Sequence, residues 1–392
     1  MMDRAETMER KVRSIIVGGM LALGLTAFSG AEVSARDTVK IGAILSLTGP
    51  AAPFGIPERD TIDLLVKRHN ATASGDSRLY EIVYYDDQTN PTEAARGAAK
   101  LIEQDQVQAI IGASTGSATL ALMPIAAKAQ VPVVAPISTP GVVSKERDFF
   151  PWIFRGSPSE STMLRFTMDK GVFGPGRKRL AIFFQEDAFG KLAAEVATKL
   201  ATDRNVEVVA STSAPVGAVD VNAAALRIRG SNPDVILLQA SAPAVGAAFV
   251  RSLRQLGNNA PIIGPAALAQ KPFIDAIGAN SEGIQMTSIG NWDDPTAKQK
   301  ELESLIVEAG RKPSGFGELL GSTAFLILSE GIHNVKGSMS GSNIRNELER
   351  ICNFSGTFMK APVCFTADNH DGLPPEVLST LVVKNGKFVT VD

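Results

Sequence analysis

From Gly112 to Thr119 the chain reads Gly-Ala-Ser-Thr-Gly-Ser-Ala-Thr, a cluster of hydroxyls between two apolar stretches. An apolar run at 109–111, a polar turn, then small and apolar residues at helical spacing predict strand, loop and helix in that order. Unpaired N–H groups at such a helix start, with the positive end of its dipole, can hold an anion. Ser114, Thr115, Ser117 and Thr119 would add neutral donors there, and a carboxylate suits them. A second chemistry also fits. Gly112–Gly116 matches G-x-S-x-G, the turn that presents a nucleophilic serine between strand and helix. Asp368 and His370 follow in the order that a Ser114, Asp, His triad requires. Against it, the chain holds three histidines in all (His69, His333, His370) and lacks an HGGG-type segment. The plainest alternative is that these hydroxyls only cap a helix.

A second loop of the same character follows Val131–Ala135, where Pro136-Ile137-Ser138-Thr139-Pro140 stiffens a turn and again offers hydroxyls. In a parallel sheet both loops lie at the carboxyl ends of strands, where open α/β sheets bind ligands. Other candidates are weaker. Asp86-Asp87 and Asp293-Asp294 lack a His or Cys cluster and read as solvated strand and loop ends rather than metal ligands. Asp368-Asn369-His370-Asp371-Gly372 has the look of a calcium loop but no following glutamate, so it reads as a turn. No Walker loop is present, and no cofactor is implied.

These loops need a scaffold, and the chain spells one out as a β-α repeat. Strand patterns fall at 39–45, 79–85, 109–111 and 131–135. Helical patterns lie between them, at 58–69 and 91–104 and after Gly116, where Pro124 should bend the third helix. After a short apolar run at 149–154 the alternation restarts, with strands at 179–184, 206–211, 235–239 and 261–264 separated by helices. From 295 to 351 three helical stretches follow with little strand between them, fit to cover a sheet already made. A strand is expected at 358–365, then a terminal hairpin across Asn385-Gly386. The expectation is an α/β fold with two doubly wound lobes built on parallel sheets.

With 392 residues, 44% of them hydrophobic, and a net charge of -2, the chain has room for two cores and no basic surplus for nucleic acid. Residues 1–35 read as a cleaved secretory signal: Arg10, Lys11 and Arg13 precede an uncharged run, and Val33-Ser34-Ala35 resembles a peptidase site. No cysteine stands at the end of that signal to take a lipid, so a protein free in the periplasm is expected. Cys352 and Cys364, the two cysteines present, could close a short loop there or remain as thiols.

Taken together, Lys40-Ile41-Gly42 through Thr48-Gly49-Pro50, Tyr85-Asp86-Asp87, Ile111-Gly112 with Ser117, Val131 to Pro136, Phe154-Arg155, Glu186 to Gly190 and Ile263-Gly264-Pro265 resemble the landmarks of the leucine/isoleucine/valine-type solute-binding proteins of ABC importers. The resemblance spans nearly all of the chain beyond the signal. It implies a type I periplasmic-binding fold with a three-segment hinge: lobe 1 from 36–156 plus 290–360, lobe 2 from 157–289 plus 361–392, the third crossing lying in the cysteine-bearing segment. By it, a ligand carboxylate falls on Ser114, Thr115, Gly116 and Ser117, and a second ligand loop on Ile137, Ser138 and Thr139. Aromatic contacts fall on Phe54 and Phe189, and further lobe 2 positions on Ser241 and Ala266. Membrane permease and ATPase subunits are the implied partners. Where amino-acid binders of this family often carry an acid, this chain has Ala266, and where a tyrosine often follows Gln239 it has Ser241 and Ala242. A branched-chain amino acid and an amine-free carboxylate such as an aromatic acid therefore stand side by side as ligands. A serine hydrolase using Ser114 and a ligand-sensing module on the same fold are the alternatives.

Overall fold

The computed structural model describes residues 37–75 and 77–391; the signal-peptide reading concerns residues outside that range. The first strand, β1 (Thr38–Leu45), runs through the middle of the first sheet and is buried from Ile41 onward. It leads into α1 (Ala52–Thr72), which begins earlier than the 58–69 expected because Pro53 occupies the first turn, where a missing N–H costs nothing. The strand β2 (Leu79–Asp86) and the helix α2 (Pro91–Glu103) follow, the helix capped by Asn90, whose side chain accepts the Thr92 N–H. Next come β3 (Ala109–Gly112), α3 (Gly116–Lys128), β4 (Val133–Ala135) and β5 (Ile153–Arg155). These five strands form one sheet in the order β2-β1-β3-β4-β5, every pairing parallel.

The chain then leaves this sheet for α4 (Glu160–Met168), β6 (Arg179–Gln185), α5 (Ala188–Asp203), β7 (Glu207–Ala214) and α6 (Asn222–Gly230). After these come β8 (Val235–Gln239), α7 (Pro243–Gln255), β9 (Ile262–Gly264), α8 (Lys271–Ile277) and β10 (Gln285–Ser288). A second passage, through residues 289–291, returns it to the first lobe, which α9 (Ala297–Glu308), α10 (Gly317–Asn334) and α11 (Gly341–Leu348) complete. Finally β11 (Ser379–Lys384) and β12 (Lys387–Val391) join the second sheet as an antiparallel hairpin, with Asn385 and Gly386 both at positive φ as a two-residue turn requires. That sheet has the order β12-β11-β10-β9-β8-β6-β7, parallel from β7 to β10.

Two expectations are corrected by this path. No strand forms over 358–365; Phe354 and Val363 make a single antiparallel bridge, and Cys352 and Cys364 are joined in a disulfide. The chain from 361 to 371, expected in the second lobe, stays on the first, where Asp371 forms a parallel bridge with Arg155 of β5. Phe365 packs edge-on against Phe154 at 5.3 Å, and His370 stacks on the same ring at 4.0 Å, so this segment belongs to the core of the first lobe. Burial in that aromatic stack pushes the His370 imidazole down to about 4, so the ring is neutral at ordinary pH, with Nδ1 on the Ile153 carbonyl.

Candidate functional site

Each sheet delivers its loops to the same gap. From the first lobe, the β3–α3 loop brings Ser114, Thr115 and Gly116, and the segment after β4 brings Pro136, Ile137, Ser138 and Thr139. The start of α1 adds Phe54, and the start of α10 adds Phe316 and Leu320. Asp187, Phe189, Ser241 and Ala267 close the gap from the second lobe. Ser117, expected to meet the ligand, is not among the lining residues; its Oγ accepts the Ala188 N–H of the second lobe at 3.0 Å. Ala266 is fully buried, and its neighbour Ala267 faces the cleft in its place.

The two hydroxyl loops touch through a glycine. A Cβ on Gly116 would stand 2.0 Å from Thr139 Oγ1, so only glycine lets the first turn of α3 approach the second loop this closely. Thr115 caps α3, its Oγ accepting the Ala118 N–H at 3.3 Å. Thr119 turns back instead, with Oγ1 accepting the Ala113 N–H at 3.1 Å, and so fixes the turn from within.

In the second lobe Gln185, fully buried at the end of β6, organises the facing side. Its Oε1 accepts the Ser241 and Ala242 N–H groups, and its Nε2 donates to Asp187 Oδ2 and Ser241 Oγ, both at 2.7 Å. Asp187 also caps α5 by accepting the Gly190 N–H at 2.9 Å. Burial raises the Asp187 carboxyl above its ordinary range, and these hydrogen bonds pull it back. It is the one carboxylate among the described residues that line the cleft.

Behind the first lobe's loops sit groups that the sequence did not point to. Ser114 Oγ lies 2.5 Å from Glu58 Oε2, and Ser138 Oγ lies 3.4 Å from Glu160 Oε2. Both acids are buried, and burial lifts Glu58 to about 8 and Glu160 to about 7. Arg155, also buried, donates through Nη1 to the Ile137 and Thr139 carbonyls and through Nε to Asp371.

The hydrolase constellation is not assembled. His370 is held in its aromatic stack on Ile153, Asp368 pairs with Lys145 at the surface, and Ser114 is bonded to Ser46 and Glu58. The acidic pairs have structural partners: Asp86 accepts the Leu47 and Thr48 N–H groups, and Asp293 accepts that of Phe388. Among the described residues no group of three His, Cys, Asp or Glu side chains is placed to hold a metal.

Two α/β lobes, joined by three passages and both lining one cleft, define a two-lobed solute-binding protein. The chain belongs to the periplasmic binding protein family, whose model matches residues 38–385. It is 23% identical over 304 residues to the Leu/Ile/Val-binding protein of Escherichia coli K12, covering 76% of this chain and 80% of that one. A branched-chain amino acid transporter substrate binding protein from Streptococcus pneumoniae, solved with isoleucine, superposes with a TM-score of 0.76 at 22% identity, covering 91% of this chain and 100% of that one. A solute binding protein of an ABC transporter from R. palustris, solved with benzoate, gives a TM-score of 0.78 at 22% identity, covering 90% and 95%.

Proposed function

We propose that this chain is the extracytoplasmic solute-binding subunit of an ABC importer and takes a small carboxylate into the cleft between its lobes, with a branched-chain amino acid as the leading candidate. One observation carries this: two hydroxyl-bearing loops face the same gap as Phe54, Phe189, Phe316 and Leu320, so donors for a carboxylate and walls for an apolar body stand together. Ser114, Thr115 and Gly116 receive the carboxylate, with Ser138 and Thr139 beside it. Closure of the lobes on the ligand, joined at Ser117 and Ala188, gives the permease and ATPase subunits a shape to recognise.

Asp187 decides between the two kinds of ligand. A carboxylate can accept about four hydrogen bonds and Asp187 takes those of Gln185, Phe189 and Gly190, so one site is left on the cleft wall for an α-ammonium despite the alanine at 266. The aromatic lining also suits an amine-free aromatic acid, the second reading. Titration calorimetry with isoleucine, leucine, valine and benzoate tests both. Asp187→Asn is expected to weaken an amino acid by about tenfold or more, through loss of a charge-assisted contact, while leaving benzoate within about twofold. Equal losses for both ligands would return Asp187 to helix capping alone, and no binding of any carboxylate would reject the reading.

A further inference from the structure

Ser114 has one proton and two lone pairs to distribute. One lone pair takes the Ser46 N–H at 3.1 Å, and Glu58 Oε2 stands 2.5 Å away, while Glu58 Oε1 has no hydrogen-bond partner. If Glu58 is ionised it can only accept, so the Ser114 proton must point at it. Ser114 then offers a ligand carboxylate only a lone pair, next to a buried negative charge, and weakens what the helix start and Thr115 can donate. If Glu58 carries a proton, its O–H donates to Ser114 Oγ, both lone pairs are used, and the serine's own proton is free to turn to the cleft that Ser114 lines. Only the second arrangement adds the Ser114 hydroxyl to the donors of the loop.

We propose that Glu58 is a positioning residue that binds a proton together with the ligand, and that the protonated carboxyl turns the Ser114 hydroxyl toward the ligand's carboxylate. This rests on the reading of the cleft as a carboxylate site. The surroundings of Glu58 favour the neutral form. The charged group that acts on it is another acid, Asp87, itself buried, with Oδ1 accepting the Ser46 hydroxyl at 2.6 Å and Oδ2 without a partner. Helix α10 seals the other side with Gly321, where a Cβ would stand 2.5 Å from the Glu58 Cα. The charged residue that α10 buries, Glu318, is turned to Ser314 and Gly315. On α1 the neighbouring Arg59 pairs with Asp60 instead. Burial pushes the Glu58 carboxyl up to about 8, Asp87 adds to the rise, and the Ser114 bond opposes it.

The test is calorimetry on the full chain with benzoate, which has no group titrating between neutral and alkaline pH. Wild-type affinity is expected to fall about tenfold or more from about pH 6.5 to about pH 9.5, because the binding-competent fraction shrinks. In Glu58→Gln the amide N–H replaces the carboxyl O–H, and the fall should shrink to about twofold or less over that range. If isoleucine binds and benzoate does not, the comparison is made up to about pH 8.5, where about fourfold is expected for wild type before the amino acid's own ammonium titrates. Calorimetry near pH 8.5 in buffers of differing ionisation enthalpy should report proton uptake by wild type and none by Glu58→Gln; the wild-type uptake decides the matter if that variant does not fold. A flat wild-type profile without proton uptake overturns the role of Glu58, as does a fall of equal size in Glu58→Gln. Absence of binding by every carboxylate at about pH 6.5 overturns the underlying reading of the cleft instead.

Discussion

The two hydroxyl loops of the first lobe look alike from the cleft and differ behind it. The loop at 112–117 leans on two acids, Glu58 directly and Asp87 through Ser46, with no cation among them. The loop at 136–140 is gripped by the Arg155 guanidinium, at 3.2 Å from the Ile137 carbonyl and 2.9 Å from that of Thr139. The same contrast appears in the two buried glutamates. Burial raises both; Asp87 adds to the rise of Glu58, to about 8, whereas Gln239, Ser138 and the positive field of Arg155 hold Glu160 to about 7. The second loop thus has a fixed cation beside its acid, Glu160, whereas the first has acids alone behind it. Similar surfaces can therefore respond differently to the same medium.

The sharpest way to break this contrast is to remove the cation. Arg155→Met should cost about 2–5 kcal/mol of unfolding free energy in a urea titration, since it leaves the Ile137 and Thr139 carbonyls without their buried donor. A loss under about 1 kcal/mol would mean the second loop does not depend on the guanidinium.

Next in size is the pH dependence of stability. Glu58 and Glu160 have folded-state values raised above the unfolded ones, so the stability they contribute is complete in acid, below the unfolded value near 4.5, and is lost as pH rises through about 8 and about 7 respectively. Replacing either by glutamine should leave stability at about pH 4 little changed and raise it at about pH 9 by an amount on the order of a few kcal/mol, more for Glu58 than for Glu160. Thermal unfolding across that range checks the sign, and a reversed order of the two glutamates would undo the comparison. The smallest effect is expected where the loops meet. Gly116→Ala must displace Thr139, and overpacking of this kind should cost about 1–3 kcal/mol in ligand affinity by calorimetry.

Much of this architecture was legible in the chain because the β-α alternation and the glycine-hydroxyl turns are local signals. The terminal hairpin was visible for the same reason: Asn385-Gly386 can hardly be anything else. The loops at 114–116 and 137–139, with Phe54, Phe189 and Ser241, do meet in one cleft. What stayed hidden depends on distance along the chain. Phe316 and Leu320 reach the cleft from a helix whose packing against α1 no local pattern announces. Glu58 reads in sequence as the solvated side of a helix start, and only α10 lying across it makes it a buried acid. Asp187 was visible as part of a polar turn, but its place on the cleft wall depends on Gln185, whose amide spans two strands. The strand expected at 358–365 failed for the converse reason: its apolar residues serve the aromatic stack around His370 rather than a sheet.

Trp292 stands immediately after the second passage between the lobes, half-buried, its indole N–H donating to the Gly315 carbonyl at 2.6 Å. The chain has two tryptophans, and the other, Trp152, lies against the Arg345 guanidinium in the first lobe. The molecule thus has an optical gauge built into its joint. With Trp152→Phe, the remaining emission would follow the angle between the lobes during a titration, with no dye attached.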